Sequence, residues 1–365
     1  MSLSFSLFFF SSDSEENERG KYASLLELAA EADERGFEAV WTPERHFHRF
    51  GGLFPNPSVL GAALAVRTER IGIRAGSISL PFHHPLRVAE DWSIVDNLSG
   101  GRVGLSVTYG WHSKEYVFAP GLHALHRDEN REAMFDRLAQ LQRIWRGEPI
   151  NFPTSEGEQT IERFYPPPVQ KELPIWVTTA RSRDSWRRAG EIGANVLTAL
   201  YAIDKSALKD HIAEYRQARR LNGHPSDGQV TVMLHTFLGD DLMEVREKVR
   251  EPMLRYLSHH TELFDSAHIA RELRVDPSRI TEKHRRLIAS AAFERYWNDS
   301  ALFGTPDTCK AMADELQAMG VDEIACLIDF GVSERLMAES LTRIDRLRMH
   351  YAADSSEKEG SGIYG

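Results

Sequence analysis

The chain has 365 residues, with 44 Lys plus Arg against 54 Asp plus Glu and a formal net charge of −10. Its 42% hydrophobic and 27% charged residues are typical of a globular protein and exclude a disordered, collagen-like or disulfide-stapled chain. The acidic balance argues against a nucleic-acid binder. No stretch approaches about 18 uninterrupted apolar residues, so we expect no membrane span.

The apolar run at residues 3–10 is the first feature along the chain. It has no basic residue before it and no small-residue cleavage site after it, so we expect a buried strand rather than a signal peptide. The two cysteines, Cys309 and Cys326, are too few for a disulfide framework, and we therefore expect a cytoplasmic protein.

Short apolar runs and longer helical patterns alternate along the whole chain. The eight predicted strands cover residues 3–10, 38–42, 71–80, 103–108, 174–179, 195–199, 230–238 and 323–329. The predicted helices cover about residues 20–36, 58–66, 85–99, 128–146, 184–192, 204–221, 240–257, 307–319 and 333–350. A Pro-rich segment without predicted strands lies at 153–174, and mostly helical extra material lies at 258–303.

This alternation determines the predicted fold class. Continuous apolar strands joined by helices are typical of parallel sheets buried on both faces. Eight such units favour an α/β fold of the closed (β/α)8 TIM-barrel type, because a doubly wound sheet more often has about five to seven strands and a GxGxxG motif. We predict one barrel domain over residues 1–351, with a helical insertion at 258–303 between the seventh and eighth strands and a disordered tail at 352–365. The insertion is too long for a plain loop and is expected to form a lid.

In a barrel the active site lies on the loops that follow the carboxyl ends of the strands. Five of the 15 histidines lie on three neighbouring loops of this kind. The candidates are Glu44, Arg45, His46 and His48 after strand 2, His83 and His84 after strand 3, Thr108, Tyr109, Gly110, Trp111 and His112 after strand 4, and Thr179, Ala180, Arg181 and Ser182 after strand 5.

Each of these loops also has a purely structural interpretation. Glu44 and Arg45 are consistent with an ion pair below the strand ends, the histidines beside Pro85 with a helix cap or a filled corner, and Trp111 with packing. Ser182 or Asp184 is suited to an N-cap. The same helix start beside an arginine is, however, a ready anion site, because free N–H groups and the positive end of the dipole converge there.

A metal site is the least favoured interpretation. The pair His46-x-His48 is similar to the paired histidines of metal-dependent barrel hydrolases, with Asp329 after strand 8 as a further ligand. Such sites need more His or Lys ligands at strands 4 to 6, and strands 5 and 6 end without histidine or cysteine. The pair also follows strand 2, whereas those enzymes carry it after strand 1, so we expect no metal.

From about residue 3 to about residue 350 the chain resembles the bacterial luciferase-like flavin monooxygenases. The shared elements are Trp-Thr-Pro-Glu-Arg-His-Phe at 41–47, Ala-Gly-Ser-Ile-Ser-Leu-Pro at 75–81, Leu-Ser-Gly-Gly-Arg at 98–102 and Gly-Thr-Pro at 304–306. Gly-Gly-Leu-Phe-Pro-Asn-Pro at 51–57, Gly-Trp-His at 110–112 and the run at 324–331 resemble the branch found in polyketide and nonribosomal-peptide gene clusters.

The resemblance implies a barrel that binds reduced FMN, supplied by a separate reductase, and that uses O2 as co-substrate. It places a non-prolyl cis peptide at Gly76–Ser77 and the flavin phosphate between the strand 4 loop and the start of helix 5. The implied cofactor-binding residues are Gly76, Ser77, Thr108, Tyr109, Gly110, Trp111, Thr179, Ala180, Arg181, Ser182 and Ser185. Because the phosphate-binding arginine of the luciferases falls on Tyr109, Arg181 is expected to supply the charge.

The loop after strand 2 departs from the family pattern. Luciferases carry Glu-His-His there and use the first histidine in catalysis, whereas this chain has Glu44, Arg45 and His46. Arginine cannot serve as a proton-transferring base. Either His46 or His48 takes over that role, or Arg45 stabilises developing negative charge electrostatically. Glu44, Arg45 and His46 are the expected catalytic residues.

The expected activity is Baeyer–Villiger insertion or hydroxylation on a natural-product intermediate, free or tethered to a carrier protein, by a homodimer. Trp111 and the lid would exclude water. A carrier with an acidic surface would dock on a basic patch of the insertion formed by Arg271, Arg274, Lys283, Arg285 and Arg286. The alternatives are a deazaflavin (F420)-dependent hydride-transfer enzyme of the same fold and a non-catalytic flavin-binding protein.

Overall fold

The computed structural model describes residues 2–10, 20–48, 51–110, 112–122, 127–262 and 281–360. Its strands are β1 (Ser4–Phe8), β2 (Ala39–Thr42), β3 (Gly72–Ser79), β4 (Val103–Thr108), β5 (Ile150–Thr154), β6 (Gly157–Ile161), β7 (Ile175–Thr178), β8 (Asn195–Ala199), β9 (Val230–Leu238), β10 (Ala301–Gly304) and β11 (Glu323–Leu327). Its helices are α1 (Lys21–Arg35), α2 (Pro57–Arg67), α3 (Pro85–Ser99), α4 (Arg127–Trp145), α5 (Arg183–Glu191), α6 (Lys205–Leu221), α7 (Leu242–Glu262), α8 (Glu282–Arg295), α9 (Pro306–Met319) and α10 (Glu334–Gly360).

Eight parallel strands form a closed barrel in the order β1, β2, β3, β4, β7, β8, β9, β11. The sheet closes on itself because β11 pairs with β1, where Leu7 lies opposite Cys326, and β8 pairs with β9. These are the eight strands that the sequence predicts, so the predicted (β/α)8 barrel is confirmed. All nine residues of β9 are buried, which explains why the barrel strands show unbroken apolar runs rather than alternation.

Three further strands differ from the prediction. β5 and β6 form an antiparallel hairpin in the Pro-rich segment. Most of their side chains are exposed, so the hairpin has no hydrophobic alternation by which the sequence would reveal it. β10 pairs in parallel with β9, with Ala301 opposite His235, although residues 301–303 were predicted as mostly helical material. It is only four residues long and follows a helix directly.

The predicted lid and tail are covered only in part. Within 258–303 the structure has the end of α7, all of α8, a π-helical turn at Tyr296–Ser300 and β10. Residues 263–280 lie outside the described part of the chain. α10 continues to Gly360, into the segment predicted as a tail. The domain division at 351 and 352 stays a prediction.

The amino-terminal half of the barrel interior is filled by polar groups around Glu323, which is fully buried. Arg74 Nη1 donates a hydrogen bond to Glu323 Oε2 at 2.6 Å. The Arg74 guanidinium lies 5.1 Å from the ring centroid of Trp41 and 4.6 Å from that of Trp176. Ser6 Oγ and Trp41 Nε1 donate to Glu323 Oε1 at 2.5 and 3.0 Å. This network occupies the base of the barrel and leaves the carboxyl ends of the strands for a site.

Two expectations from the sequence, on membrane spans and on the cysteines, can be compared with the structure. Within the described ranges, no helix combines the length and apolarity that crossing a membrane requires. Cys309 and Cys326 are free, buried thiols, and burial raises the pKa of each to about 12.

Candidate active site

The loop after β2 carries a buried carboxylate that binds two histidines. Glu44 Oε1 accepts hydrogen bonds from His46 Nε2 at 2.9 Å and from His83 Nε2 at 2.6 Å, and its Oε2 accepts one from the Ser79 N–H at 2.8 Å. Burial alone would raise the pKa of Glu44, but these bonds outweigh it and lower the pKa to about 2. Burial would likewise lower the pKa of His83, yet the hydrogen bond and charge of Glu44 raise it. Glu44 is therefore an anion at physiological pH.

Arg45, the next residue, lies among aromatic rings. Its guanidinium carbon is 4.4 Å from the ring centroid of Phe10. Burial lowers the pKa of Arg45, while Tyr201, Glu115 and Tyr256 act electrostatically to raise it. Because arginine keeps its proton even when its pKa is lowered, Arg45 supplies a fixed positive charge at the strand ends.

An aromatic cluster centred on His235 lies at the carboxyl end of the barrel. The His235 ring centroid is 4.7 Å from that of Tyr256, 5.0 Å from Tyr296 and 5.9 Å from Phe330. Tyr201 stacks on Tyr296 at 6.2 Å. Burial raises the pKa of all three tyrosines, so their hydroxyls are neutral at physiological pH. No sequence motif marks this cluster, because its five members come from five separated segments.

Glu115 is a second buried carboxylate that sequence reasoning missed. It lies in the 3-10 helix Ser113–Phe118 and is only 2% exposed. Its Oε2 has no hydrogen-bond partner among the described residues. Burial raises the pKa of Glu115, while the charges of Arg45 and His46 oppose that rise. Glu115 is therefore a titratable carboxyl group that interacts electrostatically with Arg45 and His46.

The end of β3 has the cis peptide that the resemblance implied. The peptide bond Gly76–Ser77 is cis. A Cβ at Gly76 would lie 2.8 Å from Phe8 Cε2 and 3.0 Å from Trp41 Cε3, so a larger residue does not fit there. Ser77 Oγ hydrogen-bonds Thr178 Oγ1, which also contacts Ser106 Oγ at 2.6 Å. A row of hydroxyls thus crosses β3, β4 and β7.

The start of α5 forms a cradle of Ser182, Ser185 and Arg131, whose guanidinium also lies 3.0 Å from Asp128 Oδ1 and 3.6 Å from Asp184 Oδ2. Ser182 is the N-cap of α5, as one interpretation of the sequence proposed, and its Oγ accepts hydrogen bonds from the Ser185 N–H at 3.3 Å and the Ser185 hydroxyl at 3.0 Å. Arg131 Nη1 of α4 donates to the same oxygen at 3.2 Å, and Arg131 Nε is buried without a hydrogen-bond partner among the described residues. Nothing in the sequence distinguishes Arg131 from the other arginines of α4.

Arg181 makes a different contact. Its Nε donates to the carbonyl of Ala202 at 2.9 Å, in the 3-10 turn Leu200–Ala202 that follows β8. Thr179 N–H bonds the Leu197 carbonyl at 3.0 Å, and the Ala180 carbonyl accepts from Trp186 Nε1 at 2.8 Å, so both residues fix the loop by their backbones. The cation in contact with Ser182 is Arg131.

The strand 4 loop is described except at one position. Thr108 and Tyr109 are half-buried. Gly110 has a φ of +83°, and a Cβ there would lie 2.5 Å from Phe82 Cζ. Trp111, a predicted cofactor residue, lies outside the described residues.

The residues considered for a metal site are engaged in other ways. Asp329 Oδ1 accepts a hydrogen bond from the Phe10 N–H at 2.7 Å. Across the ranges that the structure describes, no three His, Cys, Asp or Glu side chains are grouped to hold a metal ion.

The structure is thus a (β/α)8 barrel whose buried charged cluster and arginine-lined helix start lie at the carboxyl ends of the strands, where barrel enzymes carry their active sites. Residues 1–323 match the family model described as luciferase-like monooxygenase, so the chain belongs to that family. The family that the sequence motifs predicted is thereby confirmed.

Two curated relatives indicate the range of the family. The chain is 24% identical over 340 residues to the oxygenase component of the flavin-dependent trigonelline monooxygenase of Acinetobacter baylyi, covering 90% of this chain and 89% of that protein. It is 33% identical over 177 residues to 4-hydroxyprotoasukamycin monooxygenase of Streptomyces nodosus subsp. asukaensis, covering 47% and 46%.

Solved structures share the fold. The monooxygenase RslO1 from Streptomyces bottropensis superposes with a TM-score of 0.79 at 23% identity, covering 96% of this chain and all of that chain. The oxygenating constituent of the type II Baeyer–Villiger enzyme 3,6-diketocamphane monooxygenase from Pseudomonas putida, in complex with FMN, gives 0.73 at 20%, covering 96% and 98%. An F420-dependent secondary alcohol dehydrogenase gives 0.69 at 16%, covering 95% and 99%.

Proposed function

We propose that this chain is the oxygenase component of a two-component monooxygenase that uses reduced FMN, delivered by a separate reductase, and O2 to oxygenate an organic substrate. The observation that carries the proposal is the cradle formed by Arg131, Ser182 and Ser185. A helix N-terminus with hydroxyls and a half-buried arginine provides donors and positive charge suited to a phosphate.

The cradle and the Glu44 cluster are connected by one helix. Arg131 of α4 contacts Ser182, and Arg137 of the same helix donates to the His83 carbonyl. These residues are separated by about 9 Å along the helix axis. One organic phosphate can therefore have its phosphate in the cradle and its ring system beside the strand ends. Gly76, Ser77, Thr108, Tyr109 and Gly110 are the proposed surroundings of that ring system.

Bound reduced FMN supplies the activation of O2 that protein side chains do not provide. The chain's own groups bind and orient the reactants. Glu44 fixes the rings of His46 and His83, Arg45 stabilises negative charge that develops on the reacting oxygen, and His46 donates or accepts the proton at its ring nitrogen. The tyrosine-lined cluster around His235 limits the access of water.

We propose a natural-product intermediate as substrate, oxygenated by Baeyer–Villiger insertion or hydroxylation. The names of the relatives support this proposal, since one is 4-hydroxyprotoasukamycin monooxygenase and another is a type II Baeyer–Villiger monooxygenase. A substrate tethered to a carrier protein would dock on the predicted basic patch. Of that patch, Arg271 and Arg274 lie outside the described residues, the side chains of Lys283 and Arg285 are not described, and Arg286 is exposed.

The experiment is product analysis with FMN, a flavin reductase and 18O2, which is expected to place one 18O atom in the product. A second measurement is the affinity of the Arg131→Gln variant for FMN, which should be at least tenfold lower than that of the natural protein. Arg143→Gln, an exposed arginine of the same helix paired with Glu148, should not change it. Equal affinities for FMN in both variants would contradict the proposed cradle.

A deazaflavin-dependent hydride transfer is the second candidate, favoured by the similarity of the fold to the F420-dependent dehydrogenase. Substrate-dependent O2 uptake separates the two, because hydride transfer consumes no oxygen. A non-catalytic flavin-binding protein would bind FMN and give neither uptake nor product.

A further inference from the structure

A cavity of about 690 Å³ lies outside the cluster described above, on the loops after β7 and β8. It is half open to solvent and is bounded by the starts of α5 and α6 and by the end of α8 with the turn that follows it. Leu200, Ile203 and Ala207 provide an apolar wall. Cavities of this size take organic ligands rather than single ions.

Two arginines that line this cavity are held by neighbouring carbonyls of one turn. Arg181 Nε donates to Ala202 O at 2.9 Å, and Arg295 Nη2 donates to Tyr201 O at 2.6 Å. Among the described residues, neither guanidinium is paired with a carboxylate. One backbone turn therefore positions two cationic forks from distant parts of the chain.

The other charged groups of the cavity are largely satisfied. Arg183 is paired with Glu214 at 3.0 Å, and Lys205 is paired with Glu315. The carboxylate of Asp204 caps α6 by accepting a hydrogen bond from the Ala207 N–H at 2.9 Å. Asp299 is the remaining acidic lining residue. Arg181 and Arg295 are therefore the lining cations that make no carboxylate pair among the described residues, in a lining that also holds the carboxylates of Asp204 and Asp299.

We propose that this cavity binds an organic phosphate, with Arg181 and Arg295 on the phosphate and the apolar wall against the organic part. Guanidinium forks match the oxygen geometry of phosphate, and an inorganic phosphate would leave the apolar wall uncovered. The proposal assigns Arg181 to this cavity and Arg131 to the flavin phosphate. Two sources have the required chemistry: the phosphopantetheine arm of a carrier protein and a free nucleotide.

The test is calorimetric titration of the full chain, without flavin or O2, with 4′-phosphopantetheine, pantetheine and AMP. At least one of the two phosphates is expected to bind, and the one that binds identifies the source. Removing the phosphate, as in pantetheine, should weaken binding at least tenfold. Arg181→Gln and Arg295→Gln should each do the same. Arg87→Gln, an exposed arginine on α3 paired with Asp91, is the control for net charge and should have no effect.

Three outcomes overturn the proposal. The first is that neither 4′-phosphopantetheine nor AMP binds. The second is that binding is unchanged in both arginine variants. The third is that Arg295→Gln lowers the affinity for FMN as strongly as Arg131→Gln does. The last outcome would assign the cavity to the flavin. Because the titration contains no flavin, its failure leaves the proposed monooxygenase activity untouched, and a failure of that activity leaves the titration interpretable.

Discussion

Glu44 binds His83 and His46 through one carboxylate oxygen, and the interaction of Glu44 with His83 makes a pH-dependent contribution to stability. The pKa of Glu44 is lowered from 4.5 to about 2, so its contribution is present above pH 4.5 and is lost as the pH falls towards 2. The pKa of His83 is raised above 6.5, so its contribution is present below pH 6.5 and is lost as the pH rises through the folded-state value. The pair stabilises the protein most between these limits.

His83→Gln should therefore lower the free energy of unfolding most near pH 5.5 and least near pH 9. For Glu44 the lowered pKa corresponds to a contribution on the order of 3 kcal/mol. Urea denaturation at several pH values measures the effect, with Glu44→Gln and the double variant completing a mutant cycle. A cost of His83→Gln that stays constant across the pH range would show that the two charges are not coupled.

Glu115 should appear in the pH dependence of the reaction. Burial raises its pKa, and its ionised form interacts electrostatically with the positive charge of Arg45. As the pH falls, protonation of Glu115 removes that negative charge, so kcat/KM should decline on the acid side. In Glu115→Gln the acid limb should be absent and kcat/KM low at all pH values. Glu132→Gln, an exposed residue of α4 paired with Arg188, should keep the profile of the natural protein. An unchanged acid limb in Glu115→Gln would assign the titration to another group.

At the scale of elements, the sequence predicts those helices and strands whose burial gives a periodic or continuous pattern of apolar residues. All eight barrel strands are predictable because both of their faces are buried, and Ser182 is predictable as a cap because capping is local. The exposed β5–β6 hairpin has no such pattern. The contacts of Arg131 with Ser182 and of His83 with Glu44 cannot be predicted from the sequence. They depend on which helix or loop meets which strand end, and that depends on the barrel closing.

The strand 4 loop depends on a glycine that meets two requirements at once. Gly110 has a φ of +83°, and its Cβ would approach Phe82 Cζ to 2.5 Å. Gly147→Ala is the matched control, since Gly147 has a φ of +73° but open space around it. It should cost about 1 kcal/mol for the backbone alone. Gly110→Ala should cost about 1–3 kcal/mol more, through displacement of Phe82, and should weaken FMN binding. Thermal denaturation and FMN titration measure both effects. Equal costs at the two positions would mean that the loop accommodates the methyl group.

At the scale of the whole molecule, the barrel has a buried polar network at one end and the candidate active site at the other. The Glu323 network joins β1, β2, β3, β7, β9 and β11 through hydrogen bonds and ring contacts. The proposed catalytic residues Glu44, Arg45 and His46 lie at the opposite ends of the strands. This separation means that changes at the base affect folding rather than chemistry, as is usual for barrel enzymes.

Arg74→Met tests that separation. It leaves the fully buried Glu323 without its cation, and an uncompensated buried charge of this kind costs about 3–5 kcal/mol. The double variant Arg74→Met/Glu323→Gln removes both charges and should recover most of that loss, because the glutamine keeps hydrogen bonds to Ser6 and Trp41. Urea denaturation measures the free energy of unfolding of each variant, and turnover at a temperature where both are folded should match the natural protein. A double variant no more stable than Arg74→Met would show that the guanidinium acts through its packing between Trp41 and Trp176 rather than through its charge.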